Sequence, residues 1–131
     1  MLIVDAGALY EVLTGTRWGE QIRQRLEEDD DQAAPEVIDV EVLGVIRRHF
    51  LFGELDRTAA TQAIEDLRDW PGERFSHRAL LDRAWQLRNS VRVWVAMYVA
   101  LAEALQSVLI TTDGRLARVA GLQCAVDVVP R

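Results

Sequence analysis

The sequence predicts an α/β domain of three layers, in which a central, mostly parallel sheet is flanked by helices. The first observation is a set of short apolar segments that resemble buried strands: LIV at 2–4, SVLIT at 107–111 and CAVDVV at 124–129. The second is that segments with helical periodicity separate them. Strands that alternate with helices are typical of a parallel sheet covered on both faces.

The first strand, LIV, is followed at once by a helix through ALYEVL, and GEQIRQRLEE is an amphipathic helix after it. Pro35 is predicted to open a longer helix, PEVIDVEVLGVIRRHF, because proline is tolerated in the first helical turn. Gly53 is expected to end that helix, since glycine readily adopts the backbone conformation that follows a helix.

Asp56 is predicted to cap the next helix, RTAATQAIEDLRDW, and Pro71-Gly72 to break it before a short strand, RFS. Three further helices are expected in the second half of the chain, in ALLDRAWQLRN, VRVWVAMYVALAEAL and DGRLARVAGL. The second of them, Val91 to Leu105, is apolar enough to be buried on nearly every side.

The 131 residues predict a single domain spanning 1–131, which is long enough to bury a core without disulfides. The single cysteine, Cys124, cannot form an internal disulfide, and MLIVDAGALYEVL lacks the features of a signal peptide. A reducing, cytoplasmic location is therefore expected. Arg92 and Glu103 interrupt the apolar runs well short of the roughly 18 residues of a membrane span, so no membrane insertion is expected.

The balance of 15 basic and 21 acidic residues gives a net charge of −6. This charge argues against nucleic-acid binding through a broad basic surface. Contact with nucleic acid is expected to be local, or bridged by cations. The acidic run EEDDD, at 27–31, is interpreted as a solvated loop rather than a metal site.

Asp5 and Asp113 each follow an apolar strand and precede a helical segment. Ligands of open parallel sheets bind at the carboxyl ends of the strands, so two acids in equivalent positions favour a site there. The alternative is that each aspartate only caps the helix that follows it.

Glu41 is a third candidate, because it shares one helical face with Ile38, Val42 and Val45. The alternative is a glutamate at the margin of that face, with its carboxylate in water. An unpaired carboxylate buried there would cost several kcal/mol, so it needs a cation, a proton or a basic partner. If Asp5, Glu41 and Asp113 meet, their repulsion is best relieved by a hard divalent cation such as Mg²⁺ or Mn²⁺.

Other chemistries find little support. His49, His77 and Cys124 lack the spacing of zinc ligands, and each is expected to be structural or exposed. The chain has no glycine-rich phosphate loop, and the adjacent pair Ser76-His77 does not make a catalytic triad.

Four segments together resemble the PIN-domain toxins of the VapBC toxin–antitoxin class: VDAGALYEVL, DVEVLGVIRR, YVALAEAL and LITTDGRLARVAGL. The resemblance implies a PIN-like fold and a metal-dependent endoribonuclease, with four acids around one or two Mg²⁺ or Mn²⁺ ions. It also implies a homodimer that is neutralised by a cognate VapB-like antitoxin. Asp5, Glu41 and Asp113 match the first, second and last acidic positions, as catalytic residues and metal ligands.

The chain departs from this family pattern at two positions. Gly7 stands where a serine or threonine is usual, and Val95 stands where the third acid is expected. Glu103 lies two turns beyond Val95, about 12 Å along the helix axis, so it is not expected to replace that ligand. Glu103 is predicted instead to support the site indirectly or to pair with an arginine.

Two alternatives to a nuclease are open. Val95 favours a PIN-like module that keeps the dimer and antitoxin interfaces but does not cut RNA. A small phosphatase or nucleotidyl hydrolase is disfavoured, because no DxDx[TV] motif begins at Asp5.

The predicted partners follow from apolar and acidic surfaces. A homodimer is expected because the helices at 36–52 and 91–105 have more apolar positions than one small domain can bury. A basic antitoxin segment is expected because an acidic cleft attracts guanidinium groups.

Overall fold

The structure is a computed structural model that describes residues 1–29 and 31–130. Within these ranges a five-stranded sheet, parallel at every strand pair, is flanked by six α-helices, which confirms the predicted fold class. The strands are β1 (Leu2–Val4), β2 (Gln32–Pro35), β3 (Glu73–Phe75), β4 (Val108–Thr111) and β5 (Val126–Val128). The helices are α1 (Ala6–Leu13), α2 (Arg17–Glu27), α3 (Val37–Leu51), α4 (Arg57–Asp69), α5 (Leu81–Gln86) and α6 (Val93–Ala104).

The order of strands in the sheet is β3-β2-β1-β4-β5. The chain builds outward from β1 in one direction through β2 and β3, and then returns to the other side of β1 for β4 and β5. Ile3 pairs with Ala33 on one side and with Leu109 on the other. The topological switch point therefore lies between β1 and β4, where open α/β sheets bind ligands.

Helix α6 packs against the centre of the sheet, in contact with β1, β2 and β4. Seven consecutive residues, Ala96 to Ala102, are buried, which confirms the expectation of a helix enclosed on nearly every side. Alanines in this run let the helix approach the strands closely, while its first two residues, Val93 and Trp94, remain exposed. One end of α6 is thus fixed in the core, and the other reaches the surface.

The prediction that Pro35 opens a helix was wrong. Pro35 is the last residue of β2, and α3 begins at Val37. The backbone N–H of Glu36 donates to the Phe75 carbonyl at 2.9 Å, so the hydrogen bonding of β2 to β3 continues past Pro35. The strand was missed because Ala33 and Ala34, although completely buried, carry little strand propensity.

Most of the other predicted boundaries are confirmed. Asp56 caps α4 by accepting the Ala59 N–H at 2.8 Å, and Gly53 follows the end of α3 with a φ of 76°. Two predicted helices are shorter or tighter than expected. ALLDRAWQLRN forms a 3-10 turn at Arg78–Leu80 and then the short α5, while DGRLARVAGL forms only a 3-10 helix at Gly114–Arg118.

Candidate active site

A cavity of about 170 Å³ lies at the carboxyl ends of β1 and β4, at the topological switch point. Its wall includes all three predicted acids, Asp5, Glu41 and Asp113, together with Val95. Asp5 and Asp113 reach it from the ends of adjacent strands, Glu41 from the first half of α3 and Val95 from the first turn of α6. The fold therefore places the candidate residues around one cavity, although they are up to 108 positions apart in the sequence.

Both aspartates cap the helical segment that follows them. The Oδ1 atom of Asp5 accepts the Ala8 N–H at 2.8 Å, and Oδ1 of Asp113 accepts the Arg115 N–H at 3.0 Å. The sequence left helix capping and a place in the site as alternatives for these aspartates. In the structure each aspartate does both. The cap fixes the backbone of each aspartate at the edge of the cavity.

Asp113 has a second, stronger interaction with Arg115. The guanidinium group donates from Nε to Oδ1 and from Nη2 to Oδ2, both at 3.0 Å. These hydrogen bonds hold the pKa of Asp113 below its ordinary value, against the opposing effect of burial. Arg115 is largely exposed, so the pair can open at modest cost.

Glu41 is the acid in the least satisfied environment. Its Oε1 atom is buried, and no hydrogen-bond partner of acceptable geometry is found for it among the described residues. Burial raises the pKa of Glu41, and the charge of Asp5 raises it further, while the nearby Tyr98 hydroxyl and Arg92 oppose the shift. A cation in the cavity would relieve both the desolvation of Glu41 and its repulsion from Asp5.

Tyr98 shares this unsatisfied environment. Its hydroxyl is buried next to Glu41 without a hydrogen bond of acceptable geometry, and burial followed by the Glu41 charge raises its pKa well above the ordinary value. Sequence reasoning missed Tyr98, although it lies one turn after Val95 on the same face of α6. Buried polar groups are normally hydrogen-bonded, so these two groups beside the cavity call for an ion or an ordered water as a partner.

The residues around the cavity fit a hard divalent cation in kind, because their donors are carboxylate oxygens and one of them is buried without a partner. The number of donors close enough to bind one ion together fits such a cation less well. Across residues 1–29 and 31–130, no group of three or more His, Cys, Asp or Glu side chains lies close enough to hold one metal ion. Val95 offers only methyl groups, and Asp113 is turned toward Arg115.

Gly7 and Thr112 meet beside Asp5. A Cβ atom built on Gly7 would lie 3.0 Å from Oγ1 of Thr112 and 3.7 Å from Oδ1 of Asp5. The Thr112 hydroxyl thus fills the space that a side chain at position 7 would occupy. The chain therefore keeps a hydroxyl group beside Asp5 even though position 7 is a glycine, because Thr112 supplies that hydroxyl.

Comparison with known proteins identifies the family. The PIN domain family matches residues 2–122. Ribonuclease VapC1 of Mycobacterium tuberculosis is 35% identical over 128 residues, which cover 97% of this chain and 96% of that protein. This chain belongs to the VapC family of PIN-domain proteins. Ribonuclease VapC12 of the same species is 33% identical over 129 residues, covering 98% of this chain and 99% of the relative.

Solved structures agree with the PIN-domain fold. The PAE2754 protein of Pyrobaculum aerophilum has a TM-score of 0.69 at 22% identity, over 97% of this chain and 83% of that one. A toxin–antitoxin complex from Klebsiella pneumoniae has a TM-score of 0.66 at 17% identity, over 98% of both chains. At these identities the likeness concerns the fold. PIN-domain ribonucleases of the VapC class generally depend on a divalent metal ion.

Glu103 of this VapC-family chain lies outside the cavity and pairs with an arginine, as predicted. Its carboxylate accepts the Arg83 guanidinium at 2.6 and 3.1 Å and the Gln123 N–H at 2.7 Å. Burial alone would raise the pKa of Glu103, but these hydrogen bonds hold it below the ordinary value. The interaction ties α6 to α5 and to the segment before β5.

Glu103→Gln is therefore expected to reduce the free energy of unfolding by roughly 2 kcal/mol at neutral pH, because it leaves the Arg83 guanidinium without its countercharge. The contribution of a carboxylate with a lowered pKa is present above the ordinary pKa of glutamate and is lost as pH falls through the lowered one. The deficit should therefore shrink in acid. Urea unfolding between pH 7 and pH 3 measures it.

Glu20→Gln is the matched control for this prediction. Glu20 forms an exposed pair with Arg23 at 3.5 Å, and its loss should cost less than about 0.5 kcal/mol. Equal effects of the two substitutions, or a Glu103→Gln deficit that grows in acid, would contradict the role given to Glu103.

The two histidines of this PIN domain have structural contacts, as expected. The ring of His49 stacks on Tyr10 with 4.9 Å between centroids, and its Nδ1 atom lies 2.8 Å from Glu54. Nε2 of His77 accepts the Val37 N–H at 3.0 Å at the start of α3. Neither histidine lines the acidic cavity.

Two further expectations concern the surface of the chain. In the acidic run, Asp29 pairs with the N-terminal amine at 2.7 Å, whereas Asp30 lies outside the described residues.

None of the helices in the described part of the chain has the length and apolar character required to cross a membrane.

Proposed function

We propose that this chain is the toxin of a type II toxin–antitoxin pair and acts as a divalent-metal-dependent endoribonuclease. The observation that supports this most is the unpartnered, buried Oε1 of Glu41 in a cavity that Asp5 and Asp113 also line. Full-length relatives that carry the name ribonuclease VapC support the same activity. A structural neighbour that is a toxin–antitoxin complex supports the same biological setting.

In this proposal Asp5, Glu41 and Asp113 hold Mg²⁺ or Mn²⁺, the cations that best suit a set of carboxylate oxygens. When bound, the ion supplies an activated water and neutralises charge on the phosphodiester. Glu41 contributes the buried oxygen, and the Tyr98 hydroxyl next to it orders that carboxylate or a water bound to it. Asp113 contributes once its carboxylate turns away from Arg115.

Val95 sets the level of activity in the proposed nuclease. A half-buried valine in the cavity wall removes one of four expected carboxylates and also the repulsion that this carboxylate would cause. The metal is then held more weakly, while the fold is unaffected or stabilised. The same observation favours the second candidate, a PIN-domain module that binds its partners without cutting RNA.

The proposed partners are RNA, a cognate VapB-like antitoxin and a second copy of the chain in a homodimer. The net charge of −6 and the acidic cavity favour an antitoxin segment rich in arginine and lysine, since a guanidinium can occupy the position of a metal ion. The proposal includes a single domain over 1–131 and a reducing, cytoplasmic location, which the lone Cys124 favours.

The test is cleavage of a mixed RNA pool by the purified chain. Cleavage should require added Mn²⁺ or Mg²⁺, cease with EDTA, and be suppressed by the protein encoded beside this gene. Asp113→Asn should abolish cleavage, whereas Asp69→Asn, which changes an exposed acid on α4, should not. Cleavage that is indifferent to both EDTA and Asp113→Asn would contradict a metal nuclease. Tight binding of the neighbouring protein without any cleavage would support the non-catalytic module.

A further inference from the structure

Trp94 differs from the other tryptophans of the chain. Trp18, Trp70 and Trp85 each have an arginine guanidinium over the ring, at 4.6 to 4.9 Å from its centroid. Trp94 is 56% exposed on the first turn of α6, and within the described ranges its indole has neither a stacking partner nor a hydrogen bond. A large aromatic surface is therefore left uncovered.

The position of Trp94 indicates what this exposed aromatic surface binds. Its side chain lines the same cavity as Asp5, Glu41 and Asp113. An aromatic face at the edge of that cavity is therefore next to the proposed site of cleavage. The other exposed tryptophan, Trp85, lies on α5 and does not line the cavity.

Arg92 adds a cation to the same edge. It precedes α6, lines the cavity beside Trp94, and forms no ion pair within 4 Å in the part of the chain that the structure describes. Its charge nevertheless reaches the site, where it lowers the pKa of both Glu41 and Asp113. A neighbouring depression shares Arg92 and Asp113 with the cavity and adds Arg115. Positive charge thus borders an otherwise acidic site.

We propose that Trp94 and Arg92 form a nucleotide subsite, in which Trp94 stacks on an RNA base and Arg92 binds the adjacent phosphate. This inference rests on the proposed ribonuclease function and specifies how the substrate is held. Proteins bind single-stranded RNA by stacking bases on aromatic side chains and by pairing arginine with phosphate. A chain with a net charge of −6 has little long-range attraction for RNA, so local contacts of this kind must supply the affinity.

RNA fits this edge better than a second copy of the chain does. The cores of protein–protein interfaces are depleted of charged side chains, whereas Trp94 is bordered by Arg92 and by three carboxylates. Burying these groups in a dimer would require partners for each of them. A nucleotide provides an aromatic base and a phosphate, which match the indole and the guanidinium.

The experiment measures binding by fluorescence anisotropy with two probes, a ten-residue oligoadenylate RNA and a chain of the same length without bases. Ca²⁺ replaces Mn²⁺, and a gel verifies that the probes remain intact. Trp94→Ala should weaken oligoadenylate binding by about tenfold and leave the abasic probe unchanged. Trp94→Phe should retain most of the affinity, and Trp85→Ala, the matched control with another exposed indole, should bind both probes as the parent does.

Arg92→Gln should weaken both probes and lower the salt dependence of binding by about one ion. The subsite is wrong if Trp94→Ala binds oligoadenylate as tightly as the parent, or if the parent binds neither probe. It is also wrong if Trp94→Ala weakens both probes equally and converts a dimer into a monomer by light scattering, because the face would then belong to a dimer. A parent that discriminates the probes but never cleaves RNA supports the subsite and contradicts only the nuclease.

Discussion

Val95→Asp is expected to raise the affinity for Mn²⁺ by roughly tenfold or more and to increase metal-dependent RNA cleavage above the parent level. Val95 lines the cavity that holds Asp5, Glu41 and Asp113, so a carboxylate at this position supplies the missing oxygen donor. Metal affinity is measured by calorimetry and cleavage on a mixed RNA pool. Without metal the variant should melt at a lower temperature than the parent, because the new charge adds to three acids around the same cavity while no cation is bound.

Two controls separate charge, size and position in this experiment. Val95→Asn has a similar size without charge and should restore far less activity. Val93→Asp places the same charge on the same helix, at an exposed residue that does not line the acidic cavity, and should restore none. Equal cleavage by the parent and Val95→Asp would show that three acids suffice. A Val95→Asp variant with unchanged metal affinity would remove this residue from the site.

Glu41→Gln is expected to reduce the rate of metal-dependent cleavage by about 100-fold or more. The same substitution should make the metal-free protein more stable. The amide cannot bind the cation as a carboxylate does, but it no longer places a charge in a buried position next to Asp5. The expected gain in the free energy of unfolding is about 1 kcal/mol at pH 7, or about 4 °C in Tm. Thermal melting with EDTA measures the gain in metal-free stability, and melting with Mn²⁺ measures the loss of stabilisation by the metal.

The sign of the pH dependence follows from the raised pKa of Glu41. A carboxyl group whose pKa is raised by folding stabilises the protein fully only below its unfolded value, and this contribution is lost as pH rises through the raised value. The advantage of Glu41→Gln should therefore be largest at neutral pH, shrink as pH falls through the raised pKa of Glu41, and be largely gone near pH ~4.3. Asp39→Asn, on the same helix, breaks an ion pair with Arg74 at 2.9 Å and should destabilise instead. Stabilisation by both substitutions would point to a general charge effect.

Much of the fold could be predicted because β1 and β4 are rich in apolar, largely branched residues, and an acid stands one residue after β1 and two residues after β4. Their parallel pairing then brings Asp5 and Asp113 to one edge of the sheet without further information. The strand β2 could not be predicted in this way. Its alanines are buried by their neighbours in the sheet, and Pro35 resembles the start of a helix in the sequence.

The finer features of the site depend on tertiary packing. Helical periodicity placed Glu41 beside an apolar face, but only the packing of α6 against the sheet brings the Tyr98 hydroxyl next to it. The pairing of Asp113 with Arg115 depends on a 3-10 segment, where the sequence predicted only a short helix without its type. The exposure of Trp94 at the cavity likewise follows from where α6 leaves the core.

The location of bound Mn²⁺, determined by anomalous diffraction from crystals of the parent chain soaked in the ion, tests the metal site most directly. We expect a manganese peak in the cavity between β1 and β4, about 2.1 Å from Oε1 of Glu41 and from a carboxylate oxygen of Asp5, with waters completing its coordination. Asp113 is expected to have turned from Arg115 toward the ion or one of its waters. A cavity without manganese, in crystals that bind the ion elsewhere on the chain, would contradict the proposed site.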